Sequence, residues 1–157
     1  MSYLDYQDSK SFEIKLDSVR ESIAKTEVGN GIVNIKGKNY STVGLRLSKL
    51  REHFGCNVSI VNKIIENTDE KVCIESQIYL LTSNGRVLVS NGFAEKRRAL
   101  NNITKTACVE FCQTTAMGRA CAGLGIIGDH NVASAEEMWG TKDETVKDKN
   151  INEENDI

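Results

Sequence analysis

Lys96-Arg97-Arg98 is the densest run of positive charge in the sequence, and Lys105, Arg119, Arg86, Arg46 and Lys49 carry the same chemistry elsewhere in its middle. Guanidinium and ammonium groups along a groove hold a phosphate backbone without reading its sequence. Standing alone, such a charge run is also what a solvated loop looks like. Tyr40, Tyr79 and Phe93 carry rings that stack on bases if exposed. Core packing is the expectation for each ring taken singly.

Other chemistries are poorly supported. His53 and His130 lie far apart, and neither stands beside a metal-ligand pattern. Cys108 and Cys112 are one helical turn apart, but no matching pair follows at zinc-finger spacing, so buried structural thiols are expected. Gly118 to Gly123 lacks the Lys-Ser/Thr ending of a phosphate-binding P-loop. Gly123-Leu124-Gly125-Ile126-Ile127-Gly128 fits the letters of a dinucleotide fingerprint but ends a helical pattern instead of joining a strand to a helix. No nucleophile–base pair can be assembled. The expectation is a protein that binds and is not an enzyme, with no metal and no cofactor.

The chain of 157 residues can bury a core without disulfide or metal staples. With 39% hydrophobic and 27% charged residues it reads as globular, not disordered. Five cysteines, no signal-peptide pattern and no apolar run long enough to span a bilayer predict reduced thiols, no membrane and a cytoplasmic location. Net charge is −2, but unevenly spread. Residues 36–119 carry thirteen basic and seven acidic groups, while residues 120–157 carry three basic and nine acidic groups. A basic body with an acidic end points to a polyanion partner for the body.

These cations need elements to position them. Phe12, Leu16, Val19 and Ile23 predict an amphipathic helix over 12–25, broken by Gly29-Asn30-Gly31. A short strand at 32–35 and a turn at Gly37-Lys38-Asn39 follow. Ser41 or Thr42 can cap a second helix with Val43, Leu47, Leu50 and Phe54 on its buried stripe, Arg46, Lys49 and Arg51 on other faces, and Gly55 as a left-handed end. Three alternating runs then read as strands: Val58, Ile60 and Ile64; Val72, Ile74, Ile78 and Leu80; Val87 and Val89. Asn84-Gly85 and the linker 67–70 make them an antiparallel meander. A long helix is predicted over 101–124, capped by Asn101 or Asn102, with small residues such as Gly118 for close packing. A short helix with a Ser134 cap spans 134–139. The fold class is α+β: a three-stranded antiparallel meander packed on a long helix, with an N-terminal helix and strand at its flank. Residues 1–140 form the domain, and 141–157, with net charge −3 and little to bury, form a disordered acidic tail.

Four stretches carry a resemblance. Tyr40-Ser41-Thr42-Val43-Gly44-Leu45-Arg46 leads into Glu52-His53-Phe54-Gly55-Cys56-Asn57. Asn84-Gly85 is followed by Gly92-Phe93. Lys96-Arg97-Arg98 precedes the predicted long helix. Thr114-Thr115-Ala116-Met117-Gly118-Arg119-Ala120-Cys121-Ala122-Gly123-Leu124-Gly125 closes that helix, with Ala133-Ser134-Ala135-Glu136-Glu137 beyond it. In this order they resemble the core of the Rad-fifty-two-like single-strand annealing proteins. Gly118 and Ala122 stand where eukaryotic members have basic residues, and phage members share these small types, so the likeness is to the phage recombination branch.

The resemblance implies a β-β-β-α core, a ring or filament of identical subunits, and a basic groove holding single-stranded DNA with its bases exposed. Arg119 matches a DNA-contacting arginine of the family. The expected DNA-binding set is Lys96, Arg97, Arg98, Lys105, Arg119, Arg86, Arg46 and Lys49. The expected function is annealing of complementary strands in recombination or repair, in the cytoplasm of a phage-infected or prophage-carrying bacterium. A phage nuclease or a host single-strand-binding protein is the kind of further partner implied. The alternative is a single-strand-binding protein that protects DNA without annealing it.

Overall fold

A computed structural model describes residues 4–139. The predicted tail at 141–157 lies outside them. Asp5 caps the first helix, α1 (Tyr6–Ala24), by accepting from the Asp8 N–H. The helix starts six residues earlier than its apolar spacing announces, because its first turn is polar and exposed. Phe12, Leu16, Val19 and Ile23 form its buried stripe, as the spacing required.

Strands β1 (Ile32–Ile35) and β2 (Lys38–Ser41) pair as a small separate hairpin. Its turn residues are Lys36 and Gly37, both at positive φ, so Lys38 and Asn39 belong to the strand and not to the predicted turn. Helix α2 (Val43–Phe54) is capped by the Thr42 side chain, which accepts from the Leu45 N–H. Gly55 ends it at φ 56 and ψ −129, a glycine conformation outside the left-handed helical well.

Strands β3 (Val58–Asn67), β4 (Lys71–Thr82) and β5 (Gly85–Arg97) form the antiparallel meander in the order β3-β4-β5. The expected α+β class and both hairpins are present. A bulge between Ile78 and Tyr79 leaves Val89 without a β4 partner, since Tyr79 pairs with Leu88 and Ile78 with Ser90. The inward face of β5 therefore changes from odd to even numbers: Val87 is buried before the bulge, and Gly92 and Ala94 after it. On the outer half of β3, Ile64 and Ile65 are exposed.

The predicted single long helix is two. Asn101 caps α3 (Asn102–Thr106) in a reciprocal capping box with Thr104. Ala107 then breaks the run at φ −140 and ψ 46, and α4 (Cys108–Gly123) starts in a new direction. Ile103, Thr104 and Thr106 are β-branched and favour helix weakly, which makes this a cheap place to bend. Helix α4 lies so close to β5 that a Cβ on Gly92 would stand 2.6 Å from the Ala116 carbonyl oxygen. On its other side a Cβ on Gly118 would meet Val43 Cγ2 at 2.7 Å, the close approach expected of that glycine.

Two cores result. The larger joins Phe12, Leu16, Val19 and Ile23 to Leu50, Phe54, Ile78, Leu80, Cys121 and Ile126. The smaller lies between the outer sheet and the start of α4: Val72, Ile74, Ala94, Cys108, Cys112 and Ala116. Beyond α4 the chain turns at Asp129 and His130, with φ 50 and 62, between the bridged residues Gly128 and Asn131. Residues 131–137 then run back across α2 and α4 as a strap ending in a helical turn at 135–139. Among the described residues no helix is long and apolar enough to cross a membrane.

Candidate nucleic-acid interface

The run Lys96-Arg97-Arg98 is not one loop. Lys96 and Arg97 close strand β5, and strand alternation sends neighbours to opposite faces. Lys96 turns toward α4, where its Nζ sits 4.7 Å from the centre of the Phe111 ring. The Cys108 thiol, at the head of α4, faces the Lys96 carbonyl at 3.7 Å and fixes the end of β5 against that helix. Arg97 lies on the other face, opposite Lys71, whose amine bridges Glu95 at 3.0 Å and Glu66 at 3.2 Å. Those hydrogen bonds, Glu95 first, push the Lys71 amine up from its ordinary range. Arg98 donates from Nε to the Thr68 carbonyl at 2.8 Å and from Nη2 to Asn67 Oδ1 at 2.6 Å, bracing the β3–β4 turn. Asp69, Glu70, Lys71, Glu95, Arg97 and Arg98 line a cleft of about 580 Å³ of mixed charge at that end of the sheet.

Lys105 is exposed in the last turn of α3. Arg119 stands two turns along α4 from Phe111, about 12 Å at 1.5 Å per residue. Its Nε and Nη2 donate to Glu137 Oε1 at 2.9 and 2.7 Å. The Arg119 side chain is 49% exposed and the Glu137 side chain 8%. The pairing partner thus lies 18 residues along the chain, and is not Glu110 in the first turn of the same helix. Lys96 and Arg119 are thus both tied to α4, through Phe111 and through the helix itself, and Lys105 lies exposed on the short helix before it.

The other candidates fall elsewhere. Arg86, at the start of β5, lies on the outer sheet face with its guanidinium 4.3 Å from the centre of the Tyr79 ring. Lys49 is on α2 and bridges Glu52 at 2.8 Å, which lowers the Glu52 pKa. Arg46 corrects the sequence reading most sharply: its relative exposure is 0%. It donates from Nε to Ser41 Oγ at 2.8 Å, from Nη1 to the carbonyls of Gly118 and Val132 at 2.8 and 3.0 Å, and from Nη2 to the Ala133 carbonyl at 3.0 Å. With its donors committed inside the protein, Arg46 presents none to a surface ligand and leaves the candidate set. Burial pushes its guanidinium down from the ordinary range.

The three rings also separate. Tyr40 is buried in a small cluster with Ile35 and Ala135, as core packing required. Tyr79 is half-buried, and its hydroxyl donates to Gln77 Oε1 at 2.7 Å. Phe93 is 53% exposed on the outer sheet face, opposite Glu75. The thiols of Cys108 and Cys112 are buried as expected, and Cys112 donates to the Ala94 carbonyl at 3.2 Å. No cluster of three or more potential metal ligands occurs among the described residues.

Sequence reasoning missed Glu137 as the partner of Arg119. Its signal was the S-x-x-E pattern of Ser134 and Glu137, which fixes the carboxylate by a reciprocal cap: the Ser134 N–H donates to Glu137 Oε2 at 2.9 Å. No protein-family model matches the sequence, and no curated protein matches it significantly.

Proposed function

We propose that this protein binds single-stranded DNA and anneals complementary strands as a homo-oligomer of the Rad-fifty-two-like, phage recombination type. The observation that carries the reading is the seating of Arg119. The arginine singled out by the Thr114–Gly125 motif is half-exposed on α4 and held along one edge by Glu137, on the helix whose Phe111 also carries Lys96. The three-stranded meander on α4 is the core that the resemblance implies. The working set for DNA is Lys96, Lys105 and Arg119, with Arg97 at the end of the same strand. The edges of β3 and β5, unpaired among the described residues, support self-association, because an unpaired edge is a template for another chain.

Mechanistically, the protein holds a strand extended and screens its phosphates. Pairing with the complement is downhill, so the reading requires no cofactor. Annealing of two labelled complementary oligonucleotides, with sedimentation measured with and without DNA, tests it. Accelerated pairing by a species larger than the monomer is expected, with binding that weakens steeply as salt rises. Binding without accelerated pairing would leave a protective single-strand-binding protein. Absence of binding at low salt would overturn both.

A further inference from the structure

Given the DNA-binding reading above, on which this rests, we infer that Glu137 is a positioning residue: it holds the Arg119 guanidinium so that its free edge meets a phosphate. Two of the five N–H groups of Arg119, on Nε and Nη2, converge on one oxygen of Glu137. The remaining three include both hydrogens of Nη1, which has no partner among the described residues. Glu137 is itself immobilised. Its second oxygen accepts from the Ser134 N–H at 2.9 Å, and its own N–H faces Ser134 Oγ at 3.4 Å. The carboxylate is 8% exposed while the guanidinium is 49% exposed, so the pair has one end anchored and one end open. An arginine on a bare surface must be ordered when a phosphate arrives; here the ordering is done in the free protein.

The opposite effect is equally physical. A carboxylate beside an arginine competes with a phosphate for the same charge. If Glu137 masks Arg119, its removal strengthens binding; if it positions Arg119, its removal weakens binding. Anisotropy of a labelled oligothymidine separates the two, measured across salt with the full chain and with a thermal midpoint for every variant. Glu137→Ala is expected to weaken binding about fivefold, the cost of ordering one long side chain. It should also lower the log–log salt slope by about 0.7, one phosphate on a single strand. Glu137→Asp keeps the charge but withdraws the carboxylate, and is expected to weaken binding in the same direction. It serves as the test if Glu137→Ala does not fold. The double change Arg119→Ala/Glu137→Ala should bind no more weakly than Arg119→Ala alone. Tighter binding by Glu137→Ala, or unaltered binding by Glu137→Asp, overturns the positioning role and leaves the DNA-binding reading standing. If the parent protein does not bind the oligonucleotide, both fall.

Discussion

Arg46 and Arg119 sit in sockets on the same strap, residues 131–137, and the sockets differ in kind. Arg46 is held by a hydroxyl and by backbone carbonyls, with no carboxylate hydrogen-bonded to it among the described residues, and its relative exposure is 0%. Arg119 is held by one carboxylate on one edge and is open on the other. Carbonyls on three sides join α4 and the strap to α2 through a single cation. The lesson is that a buried arginine bonded to carbonyls acts as an internal staple, whereas an arginine fixed along one edge is built to meet something from outside.

The comparison can be broken most directly at Arg46. Arg46→Ala leaves the Val132 and Ala133 carbonyls without the guanidinium that they bond inside the protein, while the Gly118 carbonyl keeps only its helical bond within α4. A loss of about 3–5 kcal/mol is expected, the scale of a broken buried charged network. Urea unfolding followed by circular dichroism measures it. An unchanged midpoint would mean that Arg46 is not a staple. Arg119→Ala should cost far less, about 1 kcal/mol, because half of the guanidinium is already in water and the pair is partly screened. Its oligonucleotide affinity is expected to fall tenfold or more. If the two effects are exchanged, with unfolding at Arg119 and lost binding at Arg46, the assignment of the sockets is reversed.

The interior also has a pH signature, carried by Cys121 beside Arg46 and by Cys112 in the smaller core. Burial pushes the Cys121 thiol up to about 12 and the Cys112 thiol up to about 11, from an ordinary 9.0. As pH rises past 9.0 the unfolded chain loses these protons while the fold still holds them. The unfolded state then binds fewer protons, so stability falls with rising pH between 9.0 and about 11. Thermal midpoints of the parent, Cys112→Ala and Cys121→Ala across that window isolate the effect. The alanine variants should show a shallower fall, and parallel curves would mean that the thiols ionise equally in both states.

Much of this arrangement was legible in the sequence. Alternation and turn residues gave the meander, and helical spacing gave the face of α1 buried on the larger core. What was not legible has physical causes. On α2, Val43, Arg46, Leu50 and Phe54 form as regular a stripe as Val43, Leu47, Leu50 and Phe54, but a rule that admits only apolar residues passes over Arg46. Along β5 the alternation at Val87 and Val89 is broken by the bulge, so extending its phase would bury Phe93 and Arg97, which are exposed. Strand β2 was hidden because Lys38, Asn39 and Ser41 leave only Tyr40 as an apolar mark. The break at Ala107 was unreadable because alanine is the best helix former there is. At the candidate site, charge type was readable, but the sharing of Lys96, Arg97 and Arg98 among three environments was not, since it follows from where β5 ends.

The turn at Asp129 and His130 has a consequence for how the chain can change over generations. Both side chains occupy positive φ, where an L-residue costs roughly 1–2 kcal/mol relative to the right-handed well. Asn-Gly suits such a two-residue reversal far better. One or two codon changes here would therefore add stability without touching either arginine socket. The gain would offset a mildly harmful substitution at an exposed cation, leaving room for the surface to diverge while the strap stays in place.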